Sequence, residues 1–166
     1  LGLIGLARQV QPLLREAALP PLRRLADVTT STEHLTITDG ADGLVHVFQD
    51  TPADAAFVAL AKSRDAFVVP TLAVVAGFSG ETSPLADDPR ARAFLSADQR
   101  QSLAQRMHAG APTPALLANA LESVRRLHAG GVRLLAGTDA PNPNTAHGVS
   151  MHEEIRWLAK AGLSPA

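Results

Sequence analysis

Two residues of the sequence have side chains that could hold a metal ion between them. His46 interrupts the apolar run Leu-Val-His-Val-Phe at residues 44–48, and Asp139 ends the run Leu-Leu-Ala-Gly-Thr-Asp at 134–139. A neutral imidazole and a carboxylate are both good ligands for Zn²⁺ or a similar divalent ion. A carboxylate beside such an ion can also accept a proton from bound water. Each residue also has a structural interpretation, His46 as a hydrogen-bonded core residue and Asp139 as the cap of the following turn.

Two further residues are candidates for contact with a substrate. Thr71 follows Pro70 at the end of another apolar run, and His147 stands in a Thr-Ala-His-Gly loop before the last predicted helix. We predict that Thr71 lines a pocket and that His147 contacts substrate. The alternative for His147 is a solvated loop side chain.

Four short apolar runs bounded by turn residues predict strands that are buried on both faces. They cover residues 24–29, 43–48, 66–72 and 132–137. Strands that alternate with helices indicate βα units and a parallel sheet. In such folds the reacting groups gather at the C-terminal ends of the strands, which is where His46 and Asp139 stand.

Helix starts are marked by capping residues, by proline, or by both. The predicted starts are at Thr51, Ser96, Thr113 and Ser150. The last of these helices carries the apolar residues Ile155, Leu158 and Ala159 and is predicted to stop at Gly162. The long segment 77–112 breaks the strand–helix rhythm and is interpreted as a lid-like insertion.

Composition excludes several classes of function. Hydrophobic residues make up 46% of the 166 residues, enough for a core, and the net charge of −1 offers no basic field for nucleic acid. The absence of cysteine removes disulfides and thiol nucleophiles. The apolar runs are too short for a membrane span, so we expect no membrane partner and a cytoplasmic location. The chain begins with Leu and has no basic signal-peptide start, and we interpret it as a piece of a longer protein.

Standard catalytic motifs are also missing. The sequence contains no G-x-S-x-G elbow, no phosphate-binding loop, no G-x-G-x-x-G and no H-E-x-x-H. These absences leave the ends of the predicted strands as the most promising place for chemistry.

Three ordered blocks of the sequence resemble the second half of the amidohydrolase superfamily, in its imidazolonepropionase-like and prolidase-like branch. The blocks are Gly-Ala-Asp-Gly-Leu-Val-His-Val-Phe at 40–48, Phe-Val-Val-Pro-Thr-Leu at 67–72 and Leu-Ala-Gly-Thr-Asp-Ala-Pro-Asn-Pro at 135–143. The tail from 145 to 166 is similar to that branch too. The resemblance implies a (β/α)₈ barrel and one or two divalent ions, usually zinc.

The resemblance also implies roles for individual residues. His46 would be the metal ligand at the end of barrel strand six, and Asp139 would bind metal on strand eight and take the proton from the attacking water. The position of the strand-five ligand His is held here by Asp27, which can itself bind metal. The H-x-H pair of the family's first strand and the Lys or acid of its fourth have no match in this chain.

Length fits half of such a barrel. A closed barrel takes about 250 residues, whereas this chain has room for about four βα units. We therefore predict an α/β fold, the C-terminal half of a TIM-type barrel, forming one domain over residues 1–166. Open sheet edges favour self-association or pairing with a missing N-terminal half.

The expected activity is metal-dependent hydrolysis of an amide or cyclic amide bond in a small-molecule substrate, with this chain alone inactive. Two alternatives remain open. One is a non-catalytic half-barrel module for interaction or structure, derived from such an enzyme. The other is a different parallel α/β hydrolase.

Overall fold

The computed structural model describes residues 37, 40–107 and 110–164. The chain divides into two units, Leu1–Ala41 and Asp42–Ala166, and the sheet and its helices lie in the second. The predicted strand at 24–29 and Asp27 within it lie outside the described residues.

A parallel sheet forms the centre of the described unit. Its strands are β1 (Gly43–Val45), β2 (Phe67–Val69) and β3 (Arg133–Leu134), in the spatial order β1-β2-β3. Both neighbouring pairs are parallel, with Val45 opposite Val69 and Phe67 opposite Arg133. The predicted α/β class and three of the four predicted strands are confirmed. Closure into a barrel stays a prediction, because the described strands form only a short open sheet.

Each strand is shorter than its apolar run. β1 stops at Val45 because the next residue, His46, has a φ of +76°, which leaves the extended region. At β1 a polar residue thus follows directly where the ladder ends, whereas Thr71 and Asp139 stand two and five residues beyond the ends of β2 and β3.

Helices surround the sheet in the order α1 to α6, with a short 3-10 helix between α2 and α3. They are α1 (Ala55–Ser63), α2 (Leu72–Ser79), the 3-10 helix (Pro84–Ala86), α3 (Pro89–Arg92), α4 (Ala97–Ala104), α5 (Pro114–Ala129) and α6 (Ser150–Lys160). Among the described helices, none is both long enough and apolar enough to span a bilayer.

Two of the predicted helix starts are confirmed by the structure. Ser96 forms a capping box with Gln99, whose backbone N–H donates to the Ser96 hydroxyl at 3.2 Å. Thr113 directly precedes α5, which opens on Pro114.

The predicted role of Thr51 is wrong. α1 begins three residues later than a Thr51 cap would place it, and Asp54 is its cap. The Asp54 carboxylate accepts the backbone N–H of Phe57 at 2.7 Å, and Asp is among the strongest capping residues. α6 begins at Ser150, as predicted, but the Ser150 side chain does not cap the helix. The Ser150 hydroxyl accepts the N–H of Ala146 instead, at 2.9 Å.

The core lies between the sheet and helices α1, α2 and α5. Phe57, Val68, Leu72 and Leu127 are all at most 1% exposed, and each side chain of this size contributes about 1.5–3 kcal/mol when buried. α2 packs against both α5 and α6. These contacts hold the start of α2 immediately behind the C-terminal end of β2.

The segment 77–112, predicted as a lid-like insertion, begins inside α2 and carries the 3-10 helix, α3 and α4. Leu85, Leu95 and Leu103 form a separate hydrophobic cluster with Ala146 from the loop before α6. The described part of this segment is therefore packed against that loop, and its action as a lid stays a prediction.

The apolar residues of α6 do not all face the core. Ile155 is 52% exposed and Ala159 is exposed, whereas Leu158 is buried. The residues that face the core recur at the helical spacing of three and four, and they are Ser150, Glu153, Glu154, Trp157, Leu158 and Ala161. Two carboxylates thus occupy core positions of an amphipathic helix.

Candidate functional site

The ends of the three described strands are followed by polar residues with left-handed backbone geometry. The φ angles are +76° at His46, +54° at Thr71 and +52° at Asp139. Such conformations cost on the order of 1–3 kcal/mol each outside glycine and cluster at functional sites. A β-branched residue such as Thr71 is especially unusual there.

The structure brings three of the five predicted site residues together. His46 Nδ1 lies 2.7 Å from the Thr71 hydroxyl oxygen, and His46 Nε2 lies 3.9 Å from Asp139 Oδ2. The side chains of His46 and Asp139 are about half exposed, whereas Thr71 is buried. Because the strands are parallel, the three residues meet at one edge of the sheet.

The hydrogen bonds of Thr71 bear on the tautomer of His46. The Thr71 hydroxyl oxygen lies 2.8 Å from the carbonyl of Pro70, and we assign its one proton to that acceptor. On this assignment the Thr71 oxygen accepts the Nδ1–H of His46. We therefore assign to neutral His46 the tautomer that is protonated at Nδ1. Its Nε2 then carries a lone pair, and this atom is on the side where Asp139 lies.

Asp139 is held by the turn that follows it. The Asn142 side-chain amide donates to Asp139 Oδ2 at 3.0 Å and also to the Asp139 carbonyl. The hydroxyl of Ser102 in α4 in turn donates to the Thr145 carbonyl at 2.7 Å. The carboxylate is thereby anchored to a loop that is itself tied to a helix.

The His46 and Asp139 atoms lie near the spacing of two ligands of one divalent cation. Two tetrahedral ligands that are each about 2.1 Å from one Zn²⁺ lie about 3.4 Å apart, and the Nε2–Oδ2 separation of 3.9 Å is wider than that. A catalytic zinc ion usually has three protein ligands. Within residues 40–107 and 110–164 no group of three or more His, Asp or Glu side chains could hold a metal ion. The described residues therefore offer two ligands, and Asp27 lies outside them.

His147 lies elsewhere. It is exposed and lines a cleft of about 650 Å³ together with residues of the 3-10 helix, α3, α4 and the start of α6. None of His46, Thr71 and Asp139 lines this cleft. Contact between His147 and a substrate stays a prediction. His152, in the first turn of α6, is exposed and lines the same cleft.

Glu153 was not identified as a buried residue by sequence reasoning. It accepts a hydrogen bond from the Ser83 hydroxyl at 2.6 Å, while the Ser83 backbone N–H donates to Asn144 Oδ1 at 2.6 Å. Burial raises the pKa of Glu153, and the Ser83 hydrogen bond opposes the rise. This buried chain of hydrogen bonds links α6 to the loop after Asp139.

Glu154 is the second missed residue. Its side chain is 0% exposed, and its Oε2 accepts the backbone N–H of Ala73 at 2.8 Å. Burial raises the pKa of Glu154 to about 7, although the backbone amides of Ala73, Leu72 and Thr71 favour the charged form. The three-and-four spacing of α6 was the only sequence signal for either acid.

No protein-family model matches the chain. No curated protein matches it either. Among solved structures, it is similar to the crystal structure of a Xaa-Pro dipeptidase with bound methionine in the active site, with 17% sequence identity and a TM-score of 0.48. The match covers 79% of this chain and 27% of that one, so the chain spans about a quarter of the dipeptidase's length. The function is therefore argued from the site itself.

Proposed function

We propose that this chain is part of a metal-dependent hydrolase that cleaves carbon–nitrogen bonds of amides or cyclic amides. One observation carries the proposal: His46 Nε2 and Asp139 Oδ2 lie 3.9 Å apart at the carboxyl edge of a parallel sheet. Both atoms can donate an electron pair to a cation that lies between them. Zinc or a similar divalent ion has the charge and bond lengths for that position.

The residues of the site have separate roles in this proposal. His46 would hold the ion through Nε2, and the Thr71 hydroxyl would orient its ring, as partners of metal-bound histidines do. Asp139 would be the second ligand, and its carboxylate would accept a proton from the attacking water. A bound divalent ion would polarise the substrate carbonyl and lower the pKa of the water. A ligand role for Asp27 and substrate contact by His147 stay predictions.

Zinc titration by calorimetry tests the site. We expect one weak site with a dissociation constant above about 1 µM, because two side chains do not make a closed set of ligands. His46→Ala and Asp139→Asn should each weaken binding at least tenfold, on the scale that loss of a ligand or its support produces. His128→Ala, which removes an exposed imidazole at the end of α5, is the matched control and should bind as the parent does.

Two results would contradict this reading of the site. Equal zinc affinity in His46→Ala and in the parent chain would exclude His46 as a ligand. A sub-micromolar dissociation constant in the parent would show that the ligand count is wrong, and Asp27→Ala would then identify the extra ligand.

A second candidate function, a half-barrel module that associates through its sheet, has one observation in its favour. Side chains alternate between the faces of a strand, and the pairing register places Val45, Val69 and Leu135 in one row. Val45 is 59% exposed and Leu135 is 48% exposed. Exposed apolar rows of this kind favour association.

Sedimentation velocity over a concentration series tests the second candidate. If the row is an interface, the chain should dimerise, and Val45→Ser combined with Leu135→Ser should weaken dimerisation at least tenfold. Ile155→Ser is the control, because Ile155 is equally exposed but lies on α6. A chain that remains monomeric at about 100 µM would eliminate self-association through this row.

A further inference from the structure

The start of α2 is capped from a distant helix. Thr71 occupies the N-cap position of α2 but makes no capping hydrogen bond with its own side chain. Glu154 accepts the N–H of Ala73 at 2.8 Å from 81 positions along the chain. A carboxylate at this place also interacts favourably with the positive end of the helix dipole.

Thr71 and Glu154 have different hydrogen-bonding roles at the start of α2. Threonine at an N-cap normally accepts an N–H from the first turn of its own helix. The Thr71 hydroxyl instead donates to the Pro70 carbonyl and accepts from His46 Nδ1. The capping function of Glu154 leaves the Thr71 hydroxyl available to His46.

Backbone strain at Thr71 supports the same interpretation. Its φ of +54° persists only if the surrounding contacts hold it there. The Glu154 carboxylate accepts the backbone N–H of Ala73, two residues after Thr71 in the first turn of α2. A single buried group therefore restrains the residues that place the Thr71 hydroxyl.

We propose that Glu154 is a positioning residue for His46, which acts through the α2 N-terminus and Thr71 to select the His46 tautomer with a free Nε2. This inference deepens the proposed function and rests on it for its meaning. Its test, however, is made on the metal-free chain.

Nuclear magnetic resonance reads the tautomer directly. Long-range proton–nitrogen spectra of the labelled, metal-free chain report which nitrogen of each neutral imidazole carries the proton, and His46→Ala identifies the His46 signals. In the parent chain we expect His46 to be protonated at Nδ1. In Glu154→Ala we expect its signals to move towards those of exposed His128 in the same spectrum.

Conservative variants separate positioning from general stability. Glu154→Gln keeps a carbonyl oxygen for the Ala73 amide and should restore the parent tautomer. Glu153→Gln is the matched control, because Glu153 is also buried in α6 but bonds Ser83 rather than α2. It should leave the His46 signals unchanged. If Glu154→Ala does not fold, Glu154→Asp replaces it, since its shorter side chain withdraws the acceptor.

The outcomes distinguish this inference from the proposed function. A folded Glu154→Ala, or Glu154→Asp in its place, with the parent His46 tautomer would overturn the positioning role. An equal shift in Glu153→Gln would also overturn it. If the His46 tautomer shifts as expected but zinc does not bind, the metal site is rejected and the positioning role of Glu154 is not. If both proposals hold, Glu154→Ala should also weaken zinc binding about tenfold, while Glu154→Gln should not.

Discussion

Glu154→Gln is expected to make the chain's stability much less dependent on pH. The parent chain should lose stability between pH 4.5 and about 7, and the substitution should remove most of that loss. Burial raises the pKa of this carboxyl from 4.5 to about 7 in the folded chain. A group with a raised folded-state pKa stabilises the fold fully below its unfolded pKa, and that contribution is lost as the pH rises through the folded value. At 1.36 kcal/mol per pKa unit the loss is about 3 kcal/mol.

Urea unfolding of both chains from pH 4 to pH 8 measures the effect. Glutamine stays neutral and keeps an oxygen for the Ala73 amide, so Glu154→Gln should gain up to about 3 kcal/mol relative to the parent by pH 8. The difference between the two chains isolates Glu154 from the histidines and from Glu153, whose pKa is also raised by burial. Parallel pH profiles for the two chains would contradict the raised pKa of Glu154.

The stability that the chain loses when buried Glu154 ionises is large for a single residue. About 3 kcal/mol is a large part of the 5–15 kcal/mol that stabilises a typical domain. Titratable groups with strongly shifted pKa values cluster at functional sites. The shifted pKa of Glu154 thus agrees with the positioning role proposed for it beside Thr71.

Replacement of Phe57 by alanine should cost about 3–5 kcal/mol in the free energy of unfolding. Phe57 is 1% exposed in α1, and its ring meets that of Phe48 edge to face, with the centroids 4.7 Å apart. The substitution removes this contact and leaves a cavity beside the segment that follows His46. Chemical denaturation monitored by circular dichroism measures the loss.

The chain offers a matched control for this change. Phe94 is 88% exposed, and Phe94→Ala should alter the stability by less than about 0.5 kcal/mol. If Phe57→Ala is unfolded in the absence of denaturant, Phe57→Leu gives a smaller and measurable loss. Similar losses at positions 57 and 94 would show that the core is not where the structure places it.

The general arrangement of the site follows from the sequence by simple rules. Short apolar runs bounded by turn residues predicted β1, β2 and β3, and the alternation with helices predicted that they are parallel. Polar residues that end parallel strands share one edge of a sheet, which is why His46 and Asp139 could be expected near each other. The Ser96 capping box was equally predictable, because it depends on residues only three positions apart.

Other features depend on contacts between residues far apart in the chain. Carboxylates are rarely buried, and only the packing of α6 against the start of α2 turns Glu154 inward. The position of His147 in a separate cleft likewise follows from how α4 and the loop before α6 meet.

The sequence by itself thus determined which residue types stand at the strand ends and that those ends share an edge, since both follow from local patterns and strand direction. The tertiary structure alone decided the 3.9 Å between His46 and Asp139, the 2.7 Å between His46 and Thr71, and the buried acid behind them. The physical reason is that distances and burial depend on packing between elements that are many residues apart, which no local pattern encodes.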